Sequence, residues 1–248
     1  MADLILGSTT AMTETGGVVT IASAVEGGGG LKSMQIFTST SDVLWTKPSG
    51  INTVKVYCTG AGGGGGGPGN GDDSGGGGGA GGTAIRIYDV SSVANVTIVI
   101  GAGGASAGTD GSSTGQYDDG GAGGTSSFAG PGQTITGTGG GGGRQGNSAG
   151  AGGGSGGIGT GDAANTIIIT GSQGDKGADQ NTDWSYNGHG GESFWTGAPD
   201  SRLNQSSAGT RLDATMGNGG GGGTVINSGT ESRSGVGGIG VIIVEEYS

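Results

Sequence analysis

Residues 75–83 read GGGGGAGGT, and this stretch sets the character of the whole chain. Divided in threes it becomes GGG-GGA-GGT, so a residue other than glycine falls only at every third position. Residues 120–125 (GGA-GGT) and 153–158 (GGS-GGI) follow the same rule. A period of three matches the left-handed polyproline II helix, which has 3 residues per turn and rises about 3.1 Å per residue. The glycine stretches are therefore predicted to form such helices, with two of their three edges bare.

Bare edges allow these helices to pack side by side. A polyproline II helix makes no internal hydrogen bonds, so every backbone N–H and C=O needs a partner elsewhere. Neighbouring glycine helices can supply those partners because no side chain holds them apart. The sequence predicts a bundle of parallel and antiparallel polyglycine II helices, from runs near Gly27, Gly62, Gly75, Gly101, Gly120, Gly139, Gly150, Gly188, Gly219 and Gly235.

Composition narrows the class of protein. Glycine supplies 70 of 248 residues, so the side-chain core is small, and the net charge of -11 makes nucleic acid and anionic membranes poor partners. No stretch approaches the ~18 consecutive apolar residues of a membrane-spanning helix, and residues 1–25 do not resemble a signal peptide. Cys58 is the one cysteine, and we expect a buried structural thiol.

Short β-favouring runs punctuate the glycine. Residues 52–58 alternate, which places Val54, Val56 and Cys58 inward and Lys55, Tyr57 and Thr59 outward. Helical periodicity with start and stop signals is absent from the sequence. The predicted class is all-β with a polyglycine II helix sandwich: short strands bracket packed left-handed glycine-rich helices, and there are no α-helices. Further strands are predicted at 84–90, 96–100, 166–170, 224–227 and 239–246.

A change of composition divides the chain in two. Residues 1–33 carry short strand-like runs at 4–6 and 18–21 before the glycines of 27–30. We predict an N-terminal attachment or oligomerisation segment over 1–33. Residues 34–248 are predicted to form a glycine-rich β and polyglycine II domain with distal recognition loops.

Catalytic motifs occur only as products of the glycine content. Residues 153–157 (GGSGG) match the GxSxG pattern of a nucleophile elbow, but glycine flanks replace the strand and helix that an elbow needs. Aspartates in glycine-rich loops, such as Asp118 and Asp119, are the kind of ligand Ca²⁺ takes, although solvated turn residues fit them better. His189 is expected to pack at a helix edge. The sequence predicts no enzyme, no catalytic residue, no metal site and no cofactor.

Recognition is predicted in the loops, because glycine helices present almost no side-chain chemistry. Residues 183–187, 195–211 and 116–119 combine aromatic and arginine side chains with Ser and Asn, the composition of adaptable binding loops. Packing within each loop is an equally good reading for the aromatic residues. The candidate binding residues are Tyr117, Trp184, Tyr186, Trp195, Arg202 and Arg211.

The order of strands and glycine runs resembles that of glycine-rich bacteriophage tail-fibre proteins. The resemblance rests on residues 44–50 (LWTKPSG), 54–57 (VKVY), 98–104 (IVIGAGG), 123–128 (GGTSSF) and 240–245 (GVIIVE), and covers roughly residues 43–248. Its nearest functional members are the distal tail-fibre adhesins of T-even-like phages, in which polyglycine II helices form a sandwich and loops bind a bacterial receptor. Residues 1–33 depart from the attachment domain of those adhesins.

The resemblance implies an extracellular protein of the phage virion, at the tip of a tail fibre. Its implied partners are other virion fibre or tail proteins, through residues 1–33, and a protein or glycan receptor on the bacterial outer surface. A homotrimer is one possible assembly. A purely structural virion component, either a capsid decoration or a fibre shaft, is the alternative function. An ice-binding or cell-wall protein fits less well, since the third positions hold a mixture of side chains: Ala80, Thr83, Thr125, Ser155 and Ile158.

Overall fold

The computed structural model describes residues 3–6, 9–15, 18–21, 30–40, 43–69, 73–107, 118–146, 150–178, 187–197, 213–222, 225–226, 230–231 and 234–248. Within these ranges every regular element is a β-strand, which confirms the predicted all-β class. The described chain holds no helix able to cross a membrane. The strands are β1 (Asp3–Leu6), β2 (Thr9–Thr15), β3 (Val18–Ile21), β4 (Leu31–Phe37), β5 (Val43–Thr46), β6 (Thr53–Thr59), β7 (Thr83–Asp89), β8 (Asn95–Val99), β9 (Ser126–Phe128), β10 (Ile135–Gly137), β11 (Gly159–Thr160), β12 (Thr166–Ile169), β13 (Val225–Ile226), β14 (Thr230–Glu231) and β15 (Val241–Tyr247).

Two five-stranded antiparallel sheets form a sandwich. Sheet I has the order β11-β10-β9-β8-β5, and sheet II has the order β12-β7-β6-β15-β4. Their inner faces share one apolar core. Phe128 of sheet I lies at its centre, with its ring centroid 6.3 Å from that of Trp45 and 5.4 Å from that of Tyr88. The core therefore ties together strands that are far apart in the sequence.

The predicted alternation of β6 is confirmed on its inner face. Val54, Val56 and Cys58 are fully buried, and burial raises the pKa of the Cys58 thiol to about 12. Thr59 lies on the outer face beside Tyr57, as predicted, but it is fully buried because Trp195 covers it. Its hydroxyl bonds that of Thr83 at 2.8 Å and accepts a hydrogen bond from the indole of Trp195.

A buried carboxylate joins both sheets at one end of the sandwich. Glu246 of β15 has no exposed surface. Its carboxylate accepts hydrogen bonds from Trp45 Nε1 at 2.8 Å, from Gln35 Nε2 at 2.7 Å and from the hydroxyl of Ser33. These three donors satisfy a charge that would otherwise be costly to bury. They also hold the edge strand β4 and the opposing β5 in register with β15.

The glycine segments leave the sandwich at the opposite end. In sheet II, Thr59 at the end of β6 pairs with both Thr83 and Val241. Because the strands are antiparallel, the segments that follow β6 and precede β7 and β15 all begin at this end. Sheet I behaves alike, with Gly137 opposite Ser126 and Gly159. Neighbouring strands thus continue as neighbouring glycine segments.

Burial repeats every three residues in these segments. In residues 171–177 the three glycines are buried and the four residues between them are exposed. Residues 137–146 bury positions 137, 140, 143 and 146 in the same way. Residues 171–177 were not predicted, since glycine occupies only every third position there. One buried edge in three is what a helix of three residues per turn produces.

Hydrogen bonding repeats with the same period. Residues 60–69 form a first central segment, and their N–H groups point in turn at three neighbours. The N–H groups of Gly60, Gly63 and Gly66 donate to the carbonyls of Gly82, Gly79 and Gly76 in one neighbour. Those of Ala61, Gly64 and Gly67 donate to Gly124, Gly121 and Asp118 in the next. Those of Gly62 and Gly65 donate to Gly238 and Gly235 in the third. The glycine segments are thus packed side by side and joined by backbone hydrogen bonds that repeat every three residues.

Each central segment is surrounded by six others. The carbonyls of residues 60–69 accept from Gly104 and Ala107, from Gly140, Gly143 and Gly146, and from Gly220. The second central segment, residues 75–82, is fully buried as well. It exchanges hydrogen bonds with the first and with residues 138–146, 150–157, 171–177, 187–191 and 217–222. Two buried segments therefore form the axis of a bundle.

The N-terminal strands β1, β2 and β3 pair with one another in a separate three-stranded sheet. β4 begins at Leu31 and pairs with β15, so the glycine-rich domain includes residues ahead of the predicted boundary at residue 33. Leu31 lies opposite Tyr247, at the end of sheet II remote from the glycine segments.

We expect Gly64→Ala to prevent recovery of folded protein. A methyl group at Gly64 would overlap the backbone carbonyl of Ala105, while the Gly64 N–H and C=O are held at 2.8 and 2.9 Å by Gly121 and Gly143. Neither side can move without breaking hydrogen bonds to other segments. Gly30→Ala is the control, because a methyl there meets no atom within 4 Å. Soluble yield and thermal unfolding measure the outcome, and equal values for the two variants would contradict this packing.

Candidate functional site

The described ends of several glycine segments lie together at the end of the bundle farthest from the sandwich, which we call the distal end. Gly67 donates to the carbonyl of Asp118, and Gly146 donates to that of Gly67. Ala107 donates to Gly65, and the hydroxyl of Ser234 donates to the carbonyl of Ala107. These residues belong to different segments, and the segments end at about the same distance from the sandwich.

The distal end stands well away from the sandwich. Gly67 lies eight residues after Thr59 in the sequence. At ~3.1 Å per residue this is roughly 25 Å. The bundle thus acts as a spacer made of backbone, with few side chains along its axis.

A groove opens at the distal end between three peripheral segments. Its volume is about 620 Å³, and it is lined by Ala105, Ser106, Ala107, Asp118, Asp119, Gly121 and Gln145. Asp118 and Asp119 are both exposed. One carboxylate oxygen of Asp119 accepts a hydrogen bond at 2.8 Å from the backbone N–H of Gln145, which fixes one wall of the groove.

The chemistry of this groove is that of a hydrogen-bond acceptor. Ionised carboxylates accept and do not donate, so Asp118 and Asp119 suit hydroxyl, ammonium or guanidinium groups. The alanines and the glycine of the lining have small side chains or none, so they leave room in the groove and impose little shape on a ligand. No three His, Cys, Asp or Glu side chains come together as a metal site in the described part of the chain.

A cluster of aromatic rings lies at the other end of the bundle, where β6 ends and the first central glycine segment begins. The ring centroid of Trp195 is 5.5 Å from that of Tyr57 and 4.8 Å from that of Phe194. The indole Nε1 of Trp195 donates to Thr59 Oγ1 at 2.9 Å. These contacts fasten residues 193–197 across the outer face of sheet II.

Charged groups border this cluster. Lys55 Nζ lies 4.7 Å from the centroid of the Tyr57 ring. Hydrogen bonding to Tyr57 raises the pKa of Lys55, and the carboxylate of Glu245 acts in the same direction. Glu245 also accepts a hydrogen bond from the Tyr247 hydroxyl at 2.8 Å. The ammonium group is thereby held in place beside the aromatic rings.

The predicted binding residues fall in two places. Trp195 lies at the sandwich, about 25 Å from the distal end by the length of the first central segment. Tyr117, Trp184, Tyr186, Arg202 and Arg211 lie outside the described residues. Asp118 and Asp119 belong to the predicted loop at 116–119 and line the groove. Gln145 and Ala105 were missed, because nothing distinguishes them from other residues of glycine runs.

The GxSxG match lies within a glycine segment. The carbonyl of Ser155 accepts a hydrogen bond from Gly141, and its neighbour Gly154 donates to Gly77. The match therefore belongs to the hydrogen bonding of the bundle.

A β-sandwich that continues as a bundle of glycine segments defines a glycine-rich structural domain. The chain belongs to the glycine-rich domain family, whose model matches residues 37–247. The match begins at the last residue of β4 and takes in both the sandwich and the bundle. Among curated proteins, none matches the chain.

Trp195→Phe should lower the free energy of unfolding by about 1 kcal/mol, the typical worth of a hydrogen bond such as that to Thr59. Trp195→Ala should cost about 2 kcal/mol or more, since the ring contacts with Tyr57 and Phe194 are also lost. Denaturant titration measures both values. Unchanged stability in both variants would show that Trp195 does not fasten residues 193–197 to β6.

Proposed function

We propose that this protein is a tail-fibre tip protein of a phage virion, which binds a receptor on the bacterial surface by its distal loops and catalyses no reaction. The observation that supports this most directly is the gathering of segment ends at the distal end. A bundle whose backbone groups are paired internally offers little for a partner to recognise along its length. Specific binding then falls to the connections.

The chain entry and the distal end lie at opposite ends of the domain, an arrangement that suits a protein at the tip of a fibre. The chain enters the sandwich at Leu31, beside Tyr247, while the glycine segments leave from the opposite end beside Thr59. Residues 1–33, which we propose as the attachment to other virion proteins, therefore join the pole farthest from the distal end. Attachment and recognition would be separated by the whole length of the sandwich and bundle.

The rigidity of the scaffold also suits recognition. Six neighbours surround each central segment, and both segments are fully buried. Loops mounted on such a base are held with their ends fixed, which lowers the entropy lost on binding. Phage adsorption under shear would gain from a stiff support of this kind.

The residue types in the distal connections are those that dominate binding interfaces. Tyr117 immediately precedes Asp118 of the groove, and Trp184 and Tyr186 precede Asn187 at the base of another segment. Tyrosine and tryptophan are enriched among binding hot spots. Asp118 and Asp119 would add acceptors for the hydroxyls of a glycan or for basic groups of a protein receptor.

Virions carrying Trp184→Ala with Tyr186→Ala should adsorb to host cells at least 100-fold more slowly, because two aromatic hot spots typically contribute about 2 kcal/mol each. Thermal unfolding of the purified double variant should match the wild type. The control is Leu44→Ala, whose side chain is exposed on sheet I, at the sandwich end of the molecule. It should adsorb normally.

Normal adsorption of the double variant would contradict a receptor site in these loops. Loss of assembled particles instead of loss of adsorption would favour the purely structural role. Unfolding of the double variant would show that Trp184 and Tyr186 are packing residues.

A further inference from the structure

The aromatic cluster beside β6 has no part in the proposed receptor site at the distal end. We call its three residues, Tyr57, Phe194 and Trp195, the ring cluster. Their ring centroids lie 4.8 to 6.3 Å apart, which are the distances of rings in direct contact. The rings therefore leave no cage for a ligand between them. A ligand reaches the ring cluster only from its outer side.

Phe194 forms that outer side. Its ring stacks on Tyr57 at an interplanar angle of 29° and meets Trp195 edge-on at 85°. Although it packs against two rings, 43% of Phe194 is exposed, whereas Trp195 is half-buried. Burial of the whole ring would stabilise the fold, so a phenylalanine that is kept at the surface needs a local cause.

A buried asparagine supplies that cause. Asn218 has no exposed surface, and its side chain makes three hydrogen bonds to the loop around Phe194. Its Oδ1 accepts from the N–H of Ser193 at 2.8 Å, and its Nδ2 donates at 2.6 Å to Thr196 Oγ1 and to the carbonyl of Gly197. The loop is thus tied on both sides of the ring before any ligand arrives. A group that is already held in place loses little entropy on binding.

Groups of both charges lie beside the ring cluster. Lys55 Nζ is 4.7 Å from the centroid of Tyr57, which is 6.3 Å from that of Phe194, so the ammonium lies no more than 11.0 Å from the Phe194 centroid. Glu245 accepts hydrogen bonds from the hydroxyls of Tyr57 at 3.4 Å and Tyr247 at 2.8 Å. An ionised carboxylate has about four acceptor positions, so Glu245 keeps acceptor capacity for a ligand.

We propose that the ring cluster, together with Lys55 and Glu245, binds a carbohydrate chain. The exposed ring of Phe194 stacks on the C–H face of one sugar, and the two charged groups hydrogen-bond hydroxyls of that sugar or the next. A sugar ring combines an apolar face with donors and acceptors around its edge, which is the combination that this surface offers. The separation of Phe194 and Lys55 suits a chain of at least two sugars.

Charge and geometry disfavour other ligands that stack on aromatic rings. Nucleotides carry phosphate, whereas the chain has a net charge of -11, and Lys55 lies opposite Glu245 in register. Quaternary ammonium groups bind in cages of rings, and here the rings close on one another. A neutral sugar meets neither obstacle. Trp195, one of the predicted binding residues, serves this site by supporting Phe194.

Phe194→Ala should weaken carbohydrate binding about tenfold, the worth of one aromatic stacking contact. The probes are maltotetraose and chitotetraose, each titrated into the purified full chain by isothermal titration calorimetry. Glu245→Gln should weaken binding about threefold, because a charged acceptor is lost. Leu44→Ala, also at an exposed position but on sheet I, is the matched control and should bind like the wild type. Binding of neither sugar by the wild type, or equal binding by Phe194→Ala and the control, would overturn the proposal.

Asn218→Asp tests the positioning of the ring apart from its contact with the sugar. Aspartate keeps the size of the side chain and the acceptor for Ser193, but it has no N–H to donate to Gly197. Amide exchange of residues 193–197 should become faster and sugar binding weaker, although Phe194 itself is unchanged. Faster exchange with unchanged sugar binding would contradict the positioning role of Asn218.

The distal double variant, Trp184→Ala with Tyr186→Ala, keeps this proposal separate from the proposed function. It should bind both tetrasaccharides as the wild type does, because the ring cluster lies at the sandwich end of the bundle. Loss of tetrasaccharide binding in the double variant would place the carbohydrate site in the distal loops and overturn the proposal.

Discussion

The fold depends on finding a partner for every backbone N–H and C=O of the two central glycine segments. An unpaired buried peptide group costs free energy that glycine cannot recover by burying a side chain. Every N–H from residue 60 to 67 and from 76 to 82 donates to a neighbouring segment, with a period of three, and six segments surround each of the two. Only chains almost free of side chains can come so close, and most central positions would place a methyl group on a neighbour's carbonyl.

The sandwich and the bundle support one another through this requirement. Antiparallel pairing sets the ends of adjacent strands side by side, so β6, β7 and β15 deliver their glycine segments as neighbours. The apolar core around Trp45 and Phe128 supplies the hydrophobic stabilisation that the bundle lacks. The outcome is a domain with the chain entry at one pole and the described ends of several glycine segments at the other. Our proposed receptor site and attachment segment both follow from that polarity.

The local sequence patterns could be recognised from the sequence, but which glycine segments lie side by side could not. Alternation in β6 and the three-residue glycine period are local, and both were predicted. The neighbours of each glycine segment were not, because the runs are nearly identical and only the strand register distinguishes them. Glu246 was missed as a buried group, since its donors Ser33, Gln35 and Trp45 are more than 200 residues away in sequence. The burial of Thr59 was also missed, because Trp195, which covers it, is 136 residues away in sequence.

Amide hydrogen exchange of the intact protein tests the central claim most directly. If residues 60–67 and 76–82 are bonded to neighbouring segments as described, their amides exchange only when the domain unfolds. Their protection should then equal that of β6 and β15 in the sandwich core. Exchange of these glycines within seconds, alongside protected strands, would show that the bundle is open to solvent and contradict the account.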